Sequence, residues 1–191
     1  MMTLAAVLCC AMTTVVFTAC SNEDNPTFPS IDVNNGVVIN LGDIVIKPYL
    51  QFGASLADVE KYMFQNYADY KAKDTEALQS ITINNVIHYI TEYFNGKRSI
   101  GLSFANADGT NLEVISYNYF LSTSLEPIMA ELERNGFVYK GELDLAPDIC
   151  HMYLSSDGTI EVMLSSWEKD GGYWSISFQP FDENDLNYLI K

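Results

Sequence analysis

The 191-residue sequence predicts an α+β protein. Two tandem helix-plus-four-strand repeats, residues 48–121 and 122–182, are expected to form a continuous antiparallel sheet with the helices packed on one face. Three observations predict it. A serine-led helix start occurs twice, at Ser55-Leu56 and at Ser124-Leu125. Four strand-like apolar runs follow each start. The runs are separated by Asn95-Gly96, Asp108-Gly109, Asp157-Gly158 and Gly171-Gly172, dipeptides that suit tight reversals needing positive φ. A strand carrying a histidine precedes such a turn in each half, His88-Tyr89 in one and His151-Met152 in the other. Neither half buries a sheet face well alone, so the halves are expected to pair.

From Met2 through Ala19 the chain has no charged residue, then turns abruptly polar. This is the pattern of a secretory signal, residues 1–19, with an uncleaved membrane helix as the alternative at the lower limit of span length. Phe17-Thr18-Ala19-Cys20 resembles the lipobox of bacterial lipoproteins, which implies acylation of Cys20 as the mature N-terminus. Ser21-Asn22-Glu23-Asp24-Asn25 is similar to the acidic patch after that Cys in Bacteroides-type surface lipoproteins. The resemblance implies a membrane partner through the lipid anchor, at the outer membrane or cell surface. The first basic residue is Lys47, whereas a signal peptide opens with Lys or Arg; either the true start lies upstream or the signal is atypical.

Residues 20–47 read as the lipidated Cys and a tether, Pro- and Asn-bearing at first and apolar from Val37 to Ile46, where Leu41-Gly42-Asp43 suggests a short hairpin. Ser55 is a good N-cap with Asp58 three residues on, and Leu56, Val59, Met63 and Tyr67 make one apolar stripe. The first four strands are expected at 78–84, 86–94, 99–104 and 112–120. The second helix opens at Ser124, tolerates Pro127 in its first turn, buries Ile128, Met129 and Leu132, and stops at Asn135-Gly136. Strands at 137–143, 149–154, 159–167 and 173–179 follow, and residues 183–191 read as a C-terminal tail.

This order of elements, with the Gly53-Ala54-Ser55-Leu56-Ala57-Asp58-Val59 helix opening, resembles the tandem repeats of β-lactamase-inhibitor-protein-like domains. The resemblance implies a non-enzymatic domain that presents a sheet face to a protein partner, and fold likeness by itself establishes no role.

Composition narrows the function classes. The chain is 48% apolar and 18% charged, which excludes disorder over most of its length. Ten Lys and Arg face twenty-five Asp and Glu, a net charge of −15 that argues against a nucleic-acid partner and against electrostatic docking on anionic lipid. The two histidines lack carboxylate or Cys neighbours at ligand spacing, so no metal or cofactor is expected. Cys150 and His151 are adjacent in a strand and point to opposite faces, wrong for a thiol nucleophile and its base; a buried structural thiol is the reading. Asp182-Glu183-Asn184-Asp185 lacks the spacing of a calcium loop and reads as a solvated helix start.

Alternation places Ile160, Val162 and Leu164, Trp174, Ile176 and Phe178, and Cys150, Met152 and Leu154 toward the core. It leaves Tyr153, Met163, Trp167 and Tyr173 outward, a mixed aromatic and polar set expected to form the binding face. The functional expectation is a non-enzymatic cell-envelope module for an envelope or extracellular protein partner. A glycan-binding or glycan-processing accessory protein and an inhibitor of a secreted enzyme are the alternatives.

Overall fold

The computed structural model describes residues 36–73, 78–83, 85–96, 98–119, 125–145, 148–167 and 173–190. The signal segment, Cys20, Ser124 and the Gly171-Gly172 turn lie outside the described residues. The described chain contains, in order, β1 (Ile39–Asn40), β2 (Val45–Ile46), α1 (Leu56–Asn66), β3 (Lys71–Ala72), β4 (Gln79–Ile83), β5 (Val86–Phe94), β6 (Arg98–Phe104) and β7 (Leu112–Tyr119). It continues with α2 (Glu126–Arg134), β8 (Phe137–Leu145), β9 (Asp148–Ser155), β10 (Ile160–Trp167), β11 (Tyr173–Pro180) and a 3-10 turn over Glu183–Tyr188.

β1 and β2 form a separate hairpin. The other nine strands make one antiparallel sheet in the order β3-β5-β6-β7-β11-β10-β9-β8, with β4 joining β5. Both described helices and the β1–β2 hairpin pack on one face; the opposite face, which carries no α-helix among the described residues, is called the helix-free face. Val59 and Met63 of α1, Ile128 and Leu132 of α2, and Ile39 and Ile46 of the hairpin meet Phe104, Tyr117, Tyr153, Val162, Trp174 and Phe178 of the sheet in one buried cluster. Each such apolar side chain stabilises by roughly 1.5–3 kcal/mol relative to exposure.

Local chemistry sets the helix ends. The Asp58 N–H donates to Ser55 Oγ at 3.3 Å, and the Ser55 N–H donates back to the Asp58 carboxylate at 3.4 Å, a closed capping box. The Ser55 hydroxyl, which donates to the Asp58 carboxylate at 2.6 Å, and then the Ser55 N–H hold the Asp58 carboxyl below its ordinary pKa. α2 has no side-chain cap and carries Pro127 in its first turn. It ends at Asn135, whose side chain accepts the Val38 N–H at 3.0 Å and donates to the Val38 carbonyl at 2.9 Å, tying the hairpin to the helix end. The 105–111 turn docks on the start of α1: the Leu56 N–H donates to the Gly109 carbonyl at 2.7 Å. Gly109 has φ +73°, and a Cβ there would lie 3.0 Å from Leu56 Cβ.

Three sequence expectations are corrected. The protein is dominated by one large antiparallel sheet with few helices, and it does not divide into two tandem helix-plus-four-strand repeats. Two short strands, β3 and β4, share the same side of β5, whereas the second half supplies four strands of eight or nine residues each. The histidines taken as equivalent occupy opposite faces. His151 pairs with Leu164 on the helix side, and His88 lies on the other side, next in the strand to Tyr89, which pairs with the core residue Phe104. Second, β9 has the inverse facing. Tyr153 pairs with Val162 and is wholly buried under the helices, while Cys150, Met152 and Leu154 are on the opposite face. Third, the acidic run Asp182-Glu183-Asn184-Asp185, expected to be solvated, has Asp185 buried, and Leu189 beyond it pairs with Leu143.

Candidate functional site on the helix-free face

Strand alternation gives the middle of the helix-free face short polar side chains. β6 supplies Ser99, Gly101 and Ser103, β7 supplies Ser116 and Asn118, β11 supplies Ser175 and Ser177, and β10 supplies Ser165. Register aligns them into rows. One row runs Phe94–Ser99–Asn118–Ser175–Ser165–Cys150 and the next runs Glu92–Gly101–Ser116–Ser177–Met163–Met152. The serines and Asn118 are buried. Asn118 Nδ2 donates to Ser99 Oγ at 3.2 Å, but Asn118 Oδ1 and the Ser175 hydroxyl, opposite each other in register, have no partner among the described residues. At the β5 end of the first row Phe94 is 40% exposed.

The other end of this face is apolar and covered. Leu143, Cys150, Met152, Leu154 and Met163 form a second buried cluster under Phe181 and Leu189 of the C-terminal segment. That segment leaves β11, crosses β10 and β9, and ends on β8, where the Ile190 N–H donates to the Glu142 carbonyl at 2.7 Å. Beneath it Glu161 is fully buried and accepts a hydrogen bond from Gln179 Nε2, its Oε2 has no hydrogen-bond partner among the described residues, and the nearby charge of the segment's Asp185 acts on it. Desolvation first, and the Asp185 charge second, push the Glu161 carboxyl up to about 9.

Of the four residues expected to face outward, Met163 lies on this side, 6% exposed beneath the C-terminal segment. Tyr153 belongs to the helix-side core. Trp167 and Tyr173 pair with each other at the β10–β11 end, and their side chains lie outside the described residues. The hydroxyl rows were missed, although their signal is in the sequence: Ser99, Gly101 and Ser103 of β6, Ser116 and Asn118 of β7, and Ser175 and Ser177 of β11 are small at alternate positions where a half-buried strand usually carries larger polar residues.

A second feature lies beside α1. Tyr49, Gln51, Phe52, Asp58, Lys61, Tyr62 and Gln65 line an open depression of about 570 Å3. The Tyr49 and Tyr62 rings sit 5.2 Å apart at 55°, and the Tyr49 hydroxyl donates to Gln51 Oε1 at 3.3 Å. Burial and the nearby Asp58 raise the Tyr49 hydroxyl pKa. The Lys47 carbonyl shapes this wall by accepting the hydroxyls of Tyr62 at 2.8 Å, Tyr67 at 2.9 Å and Tyr117 at 3.3 Å.

The histidines sit apart from both features. His88 Nδ1 is 3.1 Å from Glu113 Oε2, and His151 Nδ1 is 3.4 Å from the Tyr139 hydroxyl and 4.0 Å from Glu142 Oε1. Among the described residues no group of three or more His, Cys, Asp or Glu is placed to hold a metal, and no helix is long and apolar enough to cross a membrane. Comparison with protein families, curated proteins and solved structures finds no match to this chain.

Proposed function

We propose that the chain is a non-enzymatic module of the cell envelope, anchored by acylation at Cys20 at the outer membrane or cell surface, that binds an envelope or extracellular protein across its helix-free sheet face. The single observation that supports this reading is Phe94, 40% exposed at the edge of the hydroxyl rows, an aromatic ring open to solvent on this face. Aromatic side chains such as Phe are enriched at protein interfaces, where they fill pockets on the partner. Small side chains let a docking segment approach the backbone closely.

Affinity capture from envelope extract with wild type, Phe94→Ala and Trp167→Ala tests the reading. A partner retained by wild type and lost from the Phe94 variant supports this face; identical partner lists from all three remove it.

The depression beside α1 favours one other reading, glycan binding. Tyr49, Phe52 and Tyr62 offer ring faces, and Gln51, Gln65, Asp58 and Lys61 offer donors and acceptors around them, the combination that holds a polyol ring. A glycan array with wild type and Tyr62→Ala separates this from protein binding, and a hydrolase screen separates a binder from an enzyme.

A further inference from the structure

The C-terminal segment crosses the apolar end of the sheet as a strap, and its fastening is unusual. Phe181 and Leu189 pack on the cluster of Leu143, Cys150, Met152, Leu154 and Met163, and the Ile190 N–H closes on the Glu142 carbonyl. Between these apolar ends the strap lowers Asp185, 2% exposed, onto Glu161, which is fully buried on β10. Glu161 Oε2 is buried with no hydrogen-bond partner among the described residues and another acid beside it, and two carboxylates have only acceptors to offer, so closing one on the other needs a proton between them.

We propose that a single proton shared by Glu161 and Asp185 fastens the strap of residues 181–190 over the β8–β10 end of the sheet, and that loss of this proton releases it. The groups facing Glu161 agree with this assignment. β9 presents Leu154 and β11 presents Gln179, whose amide donates to Glu161. The strap presents Asp185 and, further off, Asp182. No ion pair with Lys or Arg reaches Glu161 among the described residues. Its titratable neighbours are thus acidic, and they favour the protonated form.

The coupling has a definite sign. In the fastened state the Glu161 carboxyl ionises near 9; in the open state, hydrated, it returns toward 4.5. Between those values the fastened state carries one proton more than the open one. Opening therefore releases a proton to solvent, and the open fraction rises about tenfold per pH unit over that window. Release exposes an apolar patch that includes the Cys150 thiol, so the device links pH to a second, normally hidden surface.

Peptide-resolved hydrogen–deuterium exchange on the full chain tests this from about pH 5 to 9, with the intrinsic exchange rate divided out at each pH. The strap amides of wild type are expected to open about tenfold more per pH unit, while those of β6 and β7 change far less. In Glu161→Gln, whose amide donates to Asp185 at every pH, the strap slope is expected to vanish. A wild-type strap that follows β6 and β7, or a slope that survives in Glu161→Gln, overturns the proposal. The internal comparison within wild type decides the matter even where the variant folds poorly.

Discussion

Replacing Tyr67 with Phe removes one oxygen and almost no volume. That hydroxyl accepts the Lys47 N–H at 2.7 Å while donating to the Lys47 carbonyl at 2.9 Å, so it closes both hydrogen-bonding groups of one residue. After the change the carbonyl keeps Tyr62 and Tyr117, but the N–H loses its acceptor. An orphaned buried donor costs about 1–3 kcal/mol, and the part-buried position of this one sets the expected loss at about 1–2 kcal/mol. Tyr62→Phe is the matched control. It deletes one of three donors to the same carbonyl and orphans nothing, so a loss under about 0.5 kcal/mol is expected. For a chain of this length the Tyr67 change corresponds to a fall of roughly 2–8 °C in Tm. Urea denaturation followed by tryptophan fluorescence, with unchanged m-values, measures both. Equal losses, or a larger one for Tyr62→Phe, would refute the assignment of the N–H bond as the one that matters.

Other outcomes follow from the same structure. Gly109→Ala places a side chain at φ +73° with its Cβ 3.0 Å from Leu56 Cβ and is expected to cost about 2 kcal/mol or more in thermal melts, whereas Gly158→Ala, with φ +72° and open space around it, bears only the backbone strain of about 1–2 kcal/mol. Cys20→Ser is expected to move the protein from the membrane to the soluble fraction, and intact-mass analysis of native material without an acyl adduct would defeat that expectation. Stability against pH is expected to peak in mild acid, around pH 5. Glu131, held low by the Arg134 hydrogen bonds, and Asp58 contribute only above their ordinary pKa values and lose this as pH falls, while Glu161, raised to about 9, withdraws its contribution as pH climbs from 4.5 to that value. Denaturant midpoints across pH check the peak, and Glu161→Gln should flatten its alkaline side.

The sequence was most legible where structure is local. The α1 capping box involves residues three apart, and the Asn135-Gly136 stop is contiguous, so both could be read from neighbours alone. The long strands of the second half were bounded within two residues because their turn dipeptides are explicit. Face assignment failed in β9 because Ile149-Cys150-His151-Met152-Tyr153-Leu154 is apolar at nearly every position, leaving no alternation to read. Its facing is set by pairing, with Tyr153 opposite Val162, and β8 adjusts through an irregularity between Tyr139 and Gly141. The apparent duplication arose from shared local motifs, whereas the sheet is decided by long-range pairing that those motifs do not encode. The acidic run at 182–185 read as solvated because the burial of Asp185 depends on the segment crossing strands more than twenty residues away, which neighbouring residues do not encode.

Among the described residues, both margins of the large sheet are short or partly covered. On one margin β3 and β4, two and five residues long, divide the flank of β5 between them; on the other, Leu189 and Ile190 occupy β8 beside Leu143 and Glu142. Unpaired strand edges invite neighbouring chains to add on, and short or covered margins deny them that template. Margins this short or interrupted give a growing fibre little straight template to extend.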